Sequence, residues 1–248
     1  MKSVDGSKGE TRSAFRREYL LHTPDAFVRT PMPGLVGGVA IVHASPGLGA
    51  GFVQYTAEFD DGGTLEPVEA QRFFWVHAGE VCLAVRGSHR VLGPGEYAYL
   101  PEGMFDVLTA QPGTKLTVIE KPYEALYGVI RSEAFVGVET EIAGVPLSGD
   151  TNVMVRSLIP SNPAHDFAVN TMTYKAGAAL GQVEVHVMEH GLMMLEGSGR
   201  YRLGDDWHDV QAGDFIWMAP YCPQWFCADQ GGPAKYLIYK DWNRRPKL

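Results

Sequence analysis

Three side chains that can bind a metal lie close together in the stretch VEVHVMEH, residues 183–190. They are Glu184, His186 and His190, one carboxylate and two imidazoles, a combination that binds divalent transition metals. Valines alternate with Glu184 and His186, which predicts a strand with both polar side chains on one face. Two plainer interpretations stay open: a helix that carries the two histidines one turn apart, or a half-buried strand with a solvated polar face.

The spacing of these residues resembles the first cupin motif, in which three metal ligands are followed by a glycine, here Gly197. A second cupin motif begins at Gly213, and Gln224 occupies its ligand position. The common cupin set is three histidines and one glutamate, so the leading glutamate, the shifted histidine and the glutamine are departures. Each of these side chains can still donate to a metal.

The two halves of the chain resemble each other at an offset of 118 residues. Gly79 and Gly95 fall on Gly197 and Gly213, and the sequence GEYAYLP that begins at Gly95 then matches GDFIWMA, which begins at Gly213. The chain is also rich in turn formers, with 29 Gly and 16 Pro, which favours many short strands. The sequence therefore predicts an all-β bicupin, two double-stranded β-helix barrels in tandem.

This interpretation divides the chain into four parts. An N-terminal arm (1–22), polar and ordered against a partner subunit, precedes the N-terminal barrel (23–125). A linker that contains Gly and Pro (126–150) leads to the C-terminal barrel (151–248), which carries the predicted metal site.

The N-terminal barrel is predicted to have lost its metal site. At the offset of 118 residues, His186 and His190 fall on Val68 and Arg72, and neither valine nor a fixed guanidinium cation binds a metal. The other two counterparts are Glu66 and Asp106. We interpret the remaining polar residues of this region as structural, namely Glu66, Glu69, Gln71 and His77.

Composition excludes several classes of protein. The net charge of −8 argues against nucleic acid and anionic membranes as partners. The N-terminus has no signal peptide pattern, and no apolar run has the length of a membrane span. Cys82, Cys222 and Cys227 have no paired metal-binding spacing, so we expect reduced thiols in a cytoplasmic protein. Cys222 as a nucleophile is the less favoured interpretation, because it would need a base beside it.

The ligand pattern ExHxxxH followed by Gln, together with the ending YKDWNR, makes the resemblance narrower. Over nearly its whole length the chain resembles the (S)-ureidoglycine aminohydrolase family, bicupin enzymes of allantoin breakdown. The resemblance implies Mn²⁺, although the residue types alone also suit Fe(II), Co(II) or Zn(II). It implies metal ligands at Glu184, His186, His190 and Gln224, and substrate contacts at Tyr201, Tyr236 and Lys240.

The implied reaction replaces the amine of (S)-ureidoglycine by water and gives (S)-ureidoglycolate and ammonia. Tyr236 and Lys240 share one face of a predicted strand, KYLIYK. If that face lines the barrel, Lys240 is a buried cation that requires an anion, and a substrate carboxylate would serve. The alternatives are an exposed lysine at the end of the strand and ordinary packing for Tyr201 and Tyr236.

Other polar residues near the site are given structural roles. Glu189 is interpreted as an exposed turn residue, and an orienting contact to His190 is the alternative. The last charged and polar residues are interpreted as a structural or interface tail: Asp241, Asn243, Arg244 and Arg245.

Two functions from other classes stay open because a cupin barrel supports many chemistries. One is another metal-dependent cupin enzyme, a dioxygenase or isomerase that acts on a small carboxylated substrate. The other is a non-catalytic bicupin that binds a metabolite. In every case we expect a small-molecule ligand and a homo-oligomer.

Overall fold

The computed structural model describes residues 11–85, 87–104 and 107–245, and strands dominate this part of the chain. The predicted all-β class is therefore confirmed. Residues 1–10 of the predicted arm and the counterpart position Asp106 lie outside the described residues. In the described part, no helix is long and apolar enough to cross a membrane.

The regular elements are short, as the frequent Gly and Pro residues predicted. Three 3-10 helices are described, at Pro24–Ala26, Pro46–Leu48 and Glu139–Glu141. The strands in chain order are β1 (Ala14–Phe15), β2 (Tyr19–His22), β3 (Leu35–Val36), β4 (Val39–Ala44), β5 (Val53–Phe59), β6 (Gly63–Leu65), β7 (Gln71–Ala78), β8 (Val81–Val85), β9 (Ser88–Leu92), β10 (Glu96–Leu100), β11 (Leu108–Ala110), β12 (Thr114–Lys121), β13 (Phe135–Val138), β14 (Val145–Leu147), β15 (Asp150–Ser157), β16 (Phe167–Tyr174), β17 (Glu184–Val185), β18 (His190–Glu196), β19 (Ser198–Leu203), β20 (Asp206–Gln211), β21 (Phe215–Met218), β22 (Pro223–Ala228) and β23 (Ala234–Asp241).

Two sheets form each barrel. The first barrel has a six-stranded sheet in the order β13-β10-β7-β12-β5-β4 and a five-stranded sheet in the order β3-β6-β11-β8-β9. The second has an eight-stranded sheet, β1-β2-β21-β18-β23-β16-β15-β14, and a four-stranded sheet, β17-β22-β19-β20. Alternate side chains of these antiparallel strands point inward, and each barrel thus encloses its own apolar cluster.

Each barrel receives strands at one edge of its larger sheet from the segment that precedes the other barrel, β1 and β2 in the second barrel and β13 in the first. Strand β2 pairs with β21 of the second barrel, and β13 pairs with β10 of the first. The arm (1–22) and linker (126–150) predicted from the sequence are corrected accordingly, because both contain strands of the sheets. The physical reason is burial: Tyr19 and Leu21 of β2 lie in the core of the second barrel, each 1% exposed.

A third apolar cluster lies between the two barrels and joins them. Aromatic side chains from both halves contribute to it, including Phe73, Tyr97, Phe215 and Tyr239. Beside it the seam is polar. Asp166 is fully buried; it accepts a hydrogen bond from Gln71 Nε2 (2.5 Å) and forms an ion pair with Lys121 (3.1 Å). These contacts hold the two barrels in one fixed relation.

The repeated glycines are required by the turns they form. Gly197, between β18 and β19, has φ +71°, and a Cβ there would meet the carbonyl oxygen of Pro233. Its counterpart Gly79 has φ +70°, and a Cβ would lie 2.6 Å from Thr114 Cα. Left-handed backbone favours glycine at both positions, and the neighbouring strand excludes a side chain.

We predict that Gly197→Ala lowers the free energy of unfolding by about 3 to 5 kcal/mol, the sum of left-handed strain and a steric clash. Gly95→Ala is the matched control. Gly95 has φ +80°, but nothing lies within 4 Å of its Cβ position, so we expect a loss of only about 1 to 2 kcal/mol. Urea denaturation of both variants measures the difference. Equal losses would contradict the clash with the neighbouring strand.

Candidate metal centre

The strand that the alternation predicted is short in the structure: β17 contains only Glu184 and Val185, and His186 follows directly after it. Glu184 lies in β17, directly opposite Gln224 in β22, and His190 begins β18. The intervening valine faces outward, since Val185 is 55% exposed. The alternative of a helix carrying both histidines is wrong, because residues 183–190 form strands and bends.

Among the four predicted ligands, His186 contacts each of the other three. Nδ1 of His186 is 2.8 Å from Nε2 of His190 and 3.2 Å from Nε2 of Gln224. Nε2 of His186 is 3.5 Å from the carboxylate of Glu184. Donors that bind one ion at about 2.1 Å stand about 3 Å apart when they are adjacent, so the two spacings at Nδ1 of His186 suit a shared metal.

Two side-chain reorientations, of Glu184 and of Gln224, separate this arrangement from a complete ligand set. Among the described residues, no group of three His, Cys, Asp or Glu side chains already converges on a single point. The carboxylate of Glu184 faces Nε2 of His186, whereas His190 and Gln224 face Nδ1 of the same ring. Gln224 also directs its oxygen at Tyr201, whose hydroxyl donates to it (2.9 Å), and a 180° rotation of the amide exchanges the oxygen and nitrogen.

The site is closed on one side and open on the other. His190 and Gln224 are buried, 2% and 4% exposed, whereas the side chains of Glu184 and His186 are 28% and 37% exposed. Burial lowers the pKa of His190 to about 3, so its imidazole is neutral at physiological pH and has a lone pair for a metal. The residues present therefore fit a divalent cation that is reached through the open side.

Lys240 lies on the same face of the barrel as the predicted ligands. It is the cross-strand partner of His190, on β23 next to β18, and such partners project to one side of a sheet. Its ammonium lies 4.3 Å from the ring centre of Trp242, and among the described residues no carboxylate is within ion-pair distance of it. Burial lowers the pKa of Lys240, and the nearby charge of Glu184 partly opposes this shift.

The first barrel shows what the equivalent positions do without a metal. There the cross-strand pair is Arg72 and Glu120, which form a buried ion pair of 2.6 Å. Tyr55 completes it by donating to the same carboxylate (3.0 Å). In the first barrel the cation Arg72 is thus paired with the anion Glu120. In the second barrel the same positions hold His190, a potential metal ligand, and Lys240, a cation that no anion pairs with in the described part of the chain.

Three tyrosines project into the interior of the second barrel near the site. Tyr201 donates to Gln224, as described above, and the hydroxyl of Tyr236 lies 2.7 Å from that of Tyr174. All three are buried, and burial is the main cause of their raised pKa values. Tyr174 is missing from the sequence prediction, because it lies on β16 in no recognisable motif.

Glu189 is not the exposed turn residue that we predicted from the sequence. It is 5% exposed, and it accepts hydrogen bonds from Trp217 Nε1 (2.9 Å) and from the backbone N of Gly51 (2.8 Å). Its carboxylate therefore fastens the turn between His186 and His190 to a loop of the first barrel. The alternative role, in which this carboxylate orients His190, is not seen either, because its two oxygens are bonded to Gly51 and Trp217.

A cleft of 520 Å³ opens on the far side of that turn, between the two barrels. It is lined by residues that lie between His186 and His190 in sequence, including Val187 and Glu189, and by the charged segment 241–245. None of the four predicted ligands lines it, so we do not equate this cleft with the metal centre. The tail residues Asp241 and Arg244 bond to Lys121 and to the carbonyl of Glu124, which agrees with a structural role.

Two further residues were interpreted as structural from the sequence, and their contacts agree. His77 bonds to Thr117 through Nε2 (2.7 Å). Cys222 is buried, which raises the pKa of its thiol to about 11 and makes a reactive thiolate unfavourable.

Comparison with known proteins finds the same fold in solved structures and similar sequences among characterised proteins. A family model described as the cupin domain matches residues 170–239. The (S)-ureidoglycine aminohydrolase of Arabidopsis thaliana is 38% identical over 241 residues, which are 96% of this chain and 80% of the relative. The crystal structure of protein Ylba from E. coli superposes with a TM-score of 0.85 and 25% identity, over 96% of this chain and 97% of that one.

A more distant match concerns the fold alone. The oxalate decarboxylase of Bacillus subtilis, a protein with Mn(II) centers, superposes with a TM-score of 0.69 at 11% identity, over 91% of this chain and 78% of that one. The two barrels, and the site inside the second, thus define a bicupin. Within that class, the chain belongs to the (S)-ureidoglycine aminohydrolase family.

Proposed function

We propose that this protein is a metal-dependent hydrolase that converts (S)-ureidoglycine and water into (S)-ureidoglycolate and ammonia in purine catabolism. Membership of the aminohydrolase family supports the substrate. The observation that carries the proposal is the position of Lys240, which is the cross-strand partner of His190 and has no anionic partner among the residues that the structure describes. That arrangement suits a small substrate with one carboxylate.

The proposed metal ligands are Glu184, His186, His190 and Gln224, and the proposed metal is Mn²⁺. A mixed set of nitrogen and oxygen donors without thiolates suits manganese, and other divalent metals fit the same donors. When bound, the ion would act as a Lewis acid that polarises the substrate and so favours the replacement of the amine by water at the reacting carbon. The buried side of the set, His190 and Gln224, gives it a rigid base.

The residues around the ligands orient the substrate. Lys240 binds the carboxylate, because a partly buried cation is stabilised most by an anion that is buried beside it. Tyr201 and Tyr236 remain protonated because burial raises their pKa values, so they act as neutral hydrogen-bond donors. Fixing the carboxylate and the ureido group at separate points selects one enantiomer and holds the reacting carbon in place.

The test is release of ammonia from freshly generated (S)-ureidoglycine. The protein is first stripped of metal with a chelator and then supplied with Mn²⁺, and ammonia and (S)-ureidoglycolate are both quantified. We expect release above the spontaneous rate only in the manganese-loaded sample. Equal rates with and without metal would contradict metal dependence, and absence of release from a fully loaded protein would overturn the substrate.

The second candidate is a cupin dioxygenase or isomerase on another small carboxylate. The donor set supports it, because it also suits Fe(II). Oxygen consumption in an electrode distinguishes the two. A loaded protein that releases ammonia without consuming oxygen is the aminohydrolase.

We also propose a cytoplasmic homo-oligomer. The three unpaired cysteines support a reducing compartment. Exposed apolar side chains between β12 and β13 support association between copies, in particular Tyr127 and Ile130, which is 89% exposed.

A further inference from the structure

A pair of buried hydroxyl groups inside the second barrel points to one more residue that serves the site. We propose that Tyr174 is a positioning residue, which directs the hydroxyl hydrogen of Tyr236 toward an acceptor oxygen of the substrate. The inference rests on the proposed function and adds a residue to it. Its basis is geometric: the two hydroxyl oxygens are 2.7 Å apart, and Tyr174 and Tyr236 are 0% and 2% exposed.

The direction of each hydrogen follows from the available acceptors. Two hydroxyls in contact share one hydrogen, so one of them donates and the other keeps its hydrogen for a second acceptor. Within the described residues, Tyr174 has no hydrogen-bond partner other than Tyr236, whereas Tyr236 also reaches Met172 Sδ at 3.3 Å. Both hydrogens are used only if Tyr174 donates to Tyr236 and Tyr236 donates to the sulfur.

The second bond of this chain is the weak one. A thioether sulfur is a poor hydrogen-bond acceptor, and the distance from the Tyr236 hydroxyl to Met172 Sδ is 3.3 Å. A hydrogen bond from Tyr236 to a substrate oxygen would be stronger than this one. Met172 is the cross-strand partner of Tyr236 and holds the hydroxyl hydrogen until the substrate arrives. The bond from Tyr174 meanwhile strengthens Tyr236 as a donor, because a hydroxyl that accepts one hydrogen bond donates the next more strongly.

The position of the pair connects it to the site. Tyr236 and Lys240 lie on the same face of β23, and Lys240 is the cross-strand partner of His190. Burial, and to a smaller extent the charge of Glu184, raise the pKa values of both tyrosines. Each hydroxyl therefore keeps its hydrogen, and the pair acts only as a donor chain. Substrate in contact with Tyr236 would replace the sulfur as the terminal acceptor.

Three substitutions test this chain on the manganese-loaded protein. Tyr174→Phe removes the first donor and should weaken substrate binding about 3- to 10-fold. Met172→Leu removes the competing acceptor and should strengthen binding about 2- to 5-fold, because the Tyr236 hydrogen then lacks a partner until the substrate arrives. In a Tyr236→Phe background, both substitutions should have no further effect.

Binding is measured by calorimetry with N-carbamoylglycine, an analogue that lacks the reacting amine, and kcat and KM are measured with (S)-ureidoglycine. Analogue binding without ammonia release by the unaltered protein would overturn the proposed function, while the substitution series would still decide the role of Tyr174. A Tyr174→Phe effect that persists in the Tyr236→Phe background shows packing only and overturns the inference.

The remaining outcomes are also decisive. Failure of the unaltered protein to bind the analogue at millimolar concentration overturns the inference, as does weaker binding by Met172→Leu. Thermal unfolding checks that each variant folds. If Tyr174→Phe does not fold, Met172→Leu still tests the proposal. It should strengthen analogue binding when Tyr236 is present and have no effect in the Tyr236→Phe background.

Discussion

His186→Ala is expected to lower manganese-dependent ammonia release about 1,000-fold, which corresponds to about 4 kcal/mol of transition-state stabilisation. The reason is the central position of this imidazole. Its Nδ1 contacts both His190 and Gln224, and its Nε2 faces Glu184. Without His186, the three remaining predicted ligands lose their common contact. The open side of the site then retains only Glu184. Steady-state rates and the metal content of the same sample, measured by elemental analysis, check the prediction.

The internal repeat provides a matched control for this experiment. Glu184→Ala should also release the metal, whereas Glu66→Ala, the equivalent position of the first barrel, should leave metal content and rate within about two-fold of the unaltered protein. Glu66 is exposed on a barrel that has an Arg72–Glu120 ion pair where the second has its candidate site. Full manganese content and normal turnover in His186→Ala would contradict the ligand assignment. Loss of metal in Glu66→Ala would show that the ion binds to the first barrel and would contradict the predicted site in the second.

The arrangement of the candidate site follows from local sequence to a large degree. Glu184 in β17, His186 just after it and His190 at the start of β18 lie close together in sequence, so spacing was enough to predict that His186 lies near the other two. Gln224 required more, because it comes from β22, and only the resemblance to the second cupin motif indicated its register opposite Glu184. Local pattern therefore predicts a site well when one short segment supplies most of it.

Residues whose role depends on distant partners were predicted less well. The burial of Glu189 depends on Gly51 and Trp217, which are remote in sequence, and a charged residue in a turn normally predicts exposure. The contact between Tyr174 and Tyr236 depends on the pairing of β16 with β23. No pattern within either strand specifies that pairing, and so the hydroxyl pair was not predicted.

The exchange of edge strands was missed for a related reason. β2 and β13 are each four residues long and flanked by polar residues, so in sequence they resemble an arm and a linker. Their partners lie about 200 residues away for β2 and about 40 residues away for β13, at the ends of sheets whose internal strands are easy to recognise. The two barrels also meet beside the candidate site, because Gly51 in a loop of the first barrel donates a backbone hydrogen bond to Glu189, which lies between the predicted ligands His186 and His190.

Lys240→Met should lower kcat/KM about 100-fold, mainly through a higher KM, because the substrate carboxylate would enter a partly buried site that no longer offers a cation. Stability should move in the opposite direction. Burial already disfavours the charged form of Lys240, and no carboxylate of the described residues compensates it, so a methionine of similar length should leave the unfolding temperature unchanged or raise it.

The control for this substitution is Lys175→Met, which removes the same charge from an exposed position at the end of β16. We expect kcat/KM within about two-fold of the unaltered protein for this variant. Steady-state kinetics and thermal unfolding of both variants give the comparison. A Lys240→Met enzyme with normal KM would contradict the carboxylate contact. A large loss of kcat/KM together with a lower unfolding temperature would instead mean that Lys240 supports the barrel, as Arg72 does in the first one through its ion pair with Glu120.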